Sequence, residues 1–139
     1  MEKILKYCFF VLIVVIISAF DSTAQINAQS QEAKEAEQLN AQVLKLYQAG
    51  KFSEALPLAE RSAALHDRIF GSKNEQTAGA LRNLAEVHLA KKNKKESEVI
   101  YDQYLNVLGN ALGETNPTFI KALDRYVCLL VGIDRRSKP

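Results

Sequence analysis

Two loops of this chain are copies of each other, and they lie 42 residues apart. Gly71 recurs as Gly113 and Asn74 as Asn116. The same interval carries through the segments between them: Glu54 to Glu96, Leu39 to Leu81 to Leu123, and Val43 to Ala85 to Val127. A period that holds in loops and apolar segments alike constrains the fold more than composition does. It requires one supersecondary unit to be stacked on its own copy. Each unit reads as a pair of antiparallel helices, 39–50 with 53–70 and then 75–91 with 95–111, closed by a single helix at 117–132. The glycines stand where a helix ends with a left-handed residue. Asn74 and Asn116 stand where an N-cap belongs, and Pro117 fills a first helical turn, where its missing N–H costs nothing. No segment shows sustained period-2 alternation, so the expected class is all-α, a short α-solenoid.

The N-terminus reads differently. Lys3 and Lys6 precede an apolar run of 14 residues from Tyr7 to Phe20, and Ser22-Thr23-Ala24 offers small residues for a signal peptidase. The run is shorter than the roughly 20 residues of a spanning helix. The pattern predicts a signal peptide at 1–24 and an exported, periplasmic or secreted protein. Anchoring to the membrane by residues 7–20 is the alternative if cleavage does not occur. Residues 25–35 are a polar lead-in, 36–133 the repeat domain (39–70, 75–112 and 117–132) and 134–139 a tail. Removing 1–24 leaves sixteen basic against fourteen acidic residues, a net charge of +2. That gives no electrostatic case for nucleic acid. Cys8 leaves with the signal, and Cys128 alone forms no internal disulfide.

Within the period, "LYQAGKFSEALPLAERSAAL" and "LRNLAEVHLAKKNKKESEVIYDQYL" resemble tetratricopeptide repeats of the long, 42-residue kind found in kinesin light chains and many bacterial proteins. The first repeat supplies the family's small, bulky, glycine, aromatic and alanine positions as Val43, Leu46, Gly50, Phe52 and Ala55. The second has Ala85, His88, Lys92, Lys94 and Ser97 there. Without the glycine and the aromatic, its second helix is expected to pack more loosely. "ALGETNPTF" is similar to the linker between repeats of this subtype.

The resemblance implies a protein- or peptide-binding module whose first helices line a concave groove. By register the candidate partner-binding residues are Asn40, Tyr47, Arg82, Asn83, Glu86, Lys121 and Arg125, with Glu37, Leu44, Leu89 and Asp124 on the same faces. Asn83 matches an asparagine that bonds ligand backbone in related repeats, a task that suits an amide because it both donates and accepts. Arg82 adds a charge-assisted contact to a carboxylate.

No catalytic set is expected. His66 and His88 lie in different helices without a ligand partner at metal spacing, and no glycine-rich phosphate loop exists. Neither cofactor nor metal is implied. The run "KKNKKE" at 91–96 reads as a solvated turn. Since about three units are normally needed to bury a repeat core, two pairs and a closing helix make a marginal domain. The alternative function is therefore self-assembly, a homodimer formed through apolar end helices carrying Leu129, Leu130, Val131 and Ile133.

Overall fold

The computed structural model describes residues 2–132, and within 2–24 it gives the helical backbone with the side chains of Phe10 and Ile13 only. The expected tail at 134–139, and Ile133 before it, lie outside the described residues. Five helices follow one another: α1 (Glu2–Gln48), α2 (Phe52–Phe70), α3 (Glu75–Ala90), α4 (Lys94–Leu112) and α5 (Pro117–Val131). The first four form two antiparallel hairpins, α1 with α2 and α3 with α4. The hairpins stack through α2 and α3, and α5 closes on α4. This is the short α-solenoid of two helix pairs and a closing helix that the period predicts. Among the described residues there is no strand, and no helix is long and apolar enough to cross a membrane.

The punctuation works as its chemistry requires. The Asn74 carboxamide oxygen accepts from the Gln76 N–H at 2.7 Å, and that of Asn116 from the Thr118 N–H at 2.8 Å, satisfying donors that a helix start leaves open. The two hairpin turns are the same structure. Lys51 N–H donates to the Leu46 carbonyl at 2.9 Å, and Asn93 N–H to the His88 carbonyl at 2.9 Å. This is the 6→1 bond that closes a helix around a left-handed residue. In the first turn that residue is Gly50, at φ 73°; in the second it is Lys92, at φ 65°.

Two features differ from the sequence reading. The first helix does not begin near residue 39, because α1 continues without a break through 25–38. That stretch is Ala-, Glu- and Gln-rich and holds neither Pro nor Gly, so nothing stops the helix. Its outer turns are tied to α2 by Glu32–Arg68, at 2.8 Å, and Glu35–Arg61, above a small cluster of Ala36, Leu39 and Leu65.

Nor is α4 the looser second helix. It buries Tyr101, Tyr104, Leu105, Val107 and Leu108, with Tyr101 at 0% exposure. Large side chains replace the missing Phe52 counterpart. Three core clusters result, running from α1/α2 through the middle of the stack to α4/α5.

Candidate functional site

The first helices of the units bring their candidate residues to one cleft of about 400 Å³. It is lined by Val43, Leu44 and Tyr47 of α1, Arg82, Asn83 and Glu86 of α3, and Arg125 of α5. Helical spacing explains the selection. Residues 40, 44 and 47 share one face of α1, and 82, 83 and 86 share one face of α3. Tyr47 is held edge-to-face against Phe52, with ring centroids 5.3 Å apart. That contact fixes the apolar wall.

The polar groups divide into three arrangements. Asn83 is buried, and its amide nitrogen donates to the Asn40 carboxamide oxygen at 2.7 Å. The pair keeps the Asn40 amide N–H groups and the Asn83 carbonyl, a donor and an acceptor of the kind a peptide unit needs. Glu86 and Arg125 hold each other: Arg125 Nη2 lies 2.6 Å and Nε 2.7 Å from Glu86 Oε1. The Tyr101 hydroxyl joins them, donating to Glu86 and accepting from Arg125 Nε at 2.9 Å. Burial, and then the hydrogen bond to Glu86, pushes the Tyr101 phenol above its ordinary value, so it stays protonated and donates. Arg82 is the third case. Exposed on α3, it has no ion-pair partner among the described residues. The cleft therefore carries one net positive charge, two arginines against Glu86, beside an apolar wall.

Tyr47, Arg82, Asn83, Glu86 and Arg125 thus meet at the cleft, with Asn40 attached through Asn83. Lys121 is exposed on α5 and does not line it. Glu37, Leu89 and Asp124 do not line it either. Tyr101 was not among the candidates, since the groove reading took first helices only. One period earlier its place is held by Ala59, so the repeat gave no signal for a buried hydroxyl.

Both histidines are buried. His66 is buried, its Nδ1 donating to the Ser62 carbonyl at 2.8 Å. His88 is buried with Nδ1 unbonded among the described residues. Cys128 is a half-buried free thiol, and no group of three or more His, Cys, Asp or Glu able to hold a metal occurs among the described residues.

Residues 46–109 match a family model of the tetratricopeptide repeat. The matched stretch spans α2, α3 and most of α4, the two hairpins' shared centre. It supports a tetratricopeptide-repeat protein and, with it, a protein–protein interaction module. No curated protein matches the chain.

Proposed function

We propose that the chain binds an extended, acidic peptide segment of a partner protein in the cleft between α1, α3 and α5. The observation that carries this reading is Arg82, a cation without an ion pair among the described residues, beside the apolar wall of Val43, Leu44 and Tyr47. A carboxylate placed there gains a charge-assisted bidentate bond, while the Asn40–Asn83 pair bonds backbone. The module performs no reaction in this reading; it holds its partner.

Fluorescence anisotropy on the full chain, with labelled extended peptides that differ only in acidic or neutral side chains, tests it. Acidic peptides are expected to bind more tightly. Arg82→Ala removes at least fivefold of that affinity, and Lys121→Ala changes it less than twofold. Equal binding of acidic and neutral peptides, or an unaffected Arg82→Ala variant, overturns it.

The binding takes place outside the cytoplasm, a proposal supported by the charged-then-apolar pattern of residues 1–24 alone. The intact mass of the protein from its native cells is expected to begin at Gln25; a mass that includes residues 1–24 rejects cleavage.

A further inference from the structure

The turns of the two hairpins share a backbone and differ in charge. In register, Ala49, Gly50, Phe52 and Ser53 of the first turn become Lys91, Lys92, Lys94 and Lys95 of the second. Lys91 suits the end of α3, since a helix C-terminus favours cations. The other three work against the fold. Lys92 takes a left-handed backbone at φ 65° where the first turn has glycine, a conformation that a side chain disfavours. Lys94 and Lys95 open α4, at the helix end whose partial charge is positive and favours acidic residues. Packing does not account for them, because all three are exposed. Departures from local preference that give the fold nothing in return are expected where a surface serves binding.

Stacking of the hairpins gathers these charges at one edge. Lys91 Nζ lies 3.5 Å from Ser53 Oγ of α2, and with Lys51 it borders a recess of about 450 Å³ between the two turns. Residues 49–54 and 91–98 hold five lysines and three glutamates, an excess of two positive charges. Lys51 is paired with Glu54 at 3.3 Å and Lys94 with Glu98 at 3.7 Å. Lys91, Lys92 and Lys95 have no ion-pair partner among the described residues.

This edge adjoins the cleft. Tyr47, in the last turn of α1, lines the cleft, and Phe52 lines the recess. Their rings touch edge to face, so one aromatic pair separates the two. Arg82 and Lys91 are nine residues apart along α3 and its C-cap, about 13 Å down the axis and half a turn round it. An extended segment that leaves Arg82 must cross the end of α3, about 10 Å wide. Its path is about 17 Å, which is about five residues at the rise of an extended chain.

We propose that the partner segment held in the cleft continues over the Tyr47–Phe52 pair onto the lysine edge, and that it carries a second acidic run about five residues from the carboxylate on Arg82. This rests on the cleft reading above and adds a second contact to it. Lysines suit a run better than a single residue, because each is a point charge on a flexible stem without the planar fork of arginine. Arg82 fixes the position of one carboxylate, and the edge selects for charge density beyond it.

Fluorescence anisotropy on the full chain separates the two contacts. The labelled probes are extended peptides of one length: a neutral one, one with a single glutamate, and others that add a glutamate run. The run stands about five residues away on the N-terminal side, equally far on the C-terminal side, or directly beside the first glutamate. One of the two distant runs is expected to tighten binding at least fivefold over the single glutamate, and rising salt to shrink that gain, because exposed charges are screened. A Lys91→Gln/Lys92→Gln/Lys95→Gln variant removes the gain. It changes binding of the single-glutamate peptide less than twofold, which shows that the variant has folded. If single-glutamate binding depends on Arg82 and neither distant run adds to it, the inference is overturned and the cleft reading stands. Equal gains at every placement, a gain that salt does not reduce, or one that survives in the triple variant overturns the inference as well. If the single-glutamate peptide binds no better than the neutral one, the cleft reading fails and the inference with it.

Discussion

The two hairpins of this molecule share one backbone design and fill it in opposite ways. In the first, α2 buries the small residues Ala55, Ala59, Ser62 and Ala63 along its middle, with Leu65 and His66 only towards its end, and the bulk in the middle comes from Val43 of α1 and from Leu84 and Val87 of α3. In the second, α4 buries Tyr101, Tyr104, Leu105 and Leu108 against the small residues Ala78 and Ala85 of α3. A repeat therefore fixes where a pair of helices meets and leaves open which helix brings the volume. What the core needs is matched size across the contact at native density. The position occupied by Ala59 and, one period on, by Tyr101 shows the exchange most plainly, since both residues are buried.

Truncating that position should separate the hairpins most sharply. Tyr101→Ala opens a cavity in a fully buried site and is expected to cost about 3–5 kcal/mol, read as a shift in the denaturant midpoint at constant m. It also removes the hydroxyl that ties Glu86 to Arg125, so α5 should lose protection in amide hydrogen exchange before the other helices do. Tyr101→Phe keeps the volume, leaves the Glu86–Arg125 pair in place and should cost only about 0.5–1.5 kcal/mol. The reciprocal change, Ala59→Leu, forces volume into the first hairpin where none is missing, and about 1–3 kcal/mol of destabilisation is expected. If Ala59→Leu were neutral, the first hairpin would be the looser one, and the comparison would reverse.

How far the sequence could have shown this depends on the range of each interaction. Helix order, caps and turns are local or strictly periodic, so Gly71, Asn74, Gly113 and Asn116 could be read directly. The cleft faces followed too, because a helix face is a matter of spacing. What is set by three-dimensional register was not legible. Asn40 meets Asn83 and Glu86 meets Arg125 through contacts 43 and 39 residues apart, and neither pairing has a repeated counterpart. The length of α1 is not legible for another reason: a polar composition reads as a lead-in, although its residues are good helix formers and Glu32 and Glu35 find arginines on α2. Expecting a loose α4 from its missing turn glycine and aromatic treated a motif as if it were the packing itself.

The smallest effect belongs to the turns, where the same comparison can be made with backbone alone. Gly50 and Lys92 occupy equivalent left-handed positions, at φ 73° and φ 65°, and close the same hydrogen bond. A Cβ at Gly50 would meet no atom within 4 Å, so Gly50→Ala has no steric neighbour to displace and should cost only the left-handed penalty, about 1 kcal/mol. Lys92 already bears that penalty. Lys92→Gly removes it but gives the unfolded chain more freedom, an opposing effect of about 0.4–1 kcal/mol, and the net gain should be about 0.5 kcal/mol or less. The two substitutions thus differ in sign although they touch one structural position. Thermal melts of both variants measured side by side decide it. A destabilised Lys92→Gly would show that the lysine side chain contributes to the turn beyond its backbone, and that the second hairpin compensates for its missing glycine there as well as in its core.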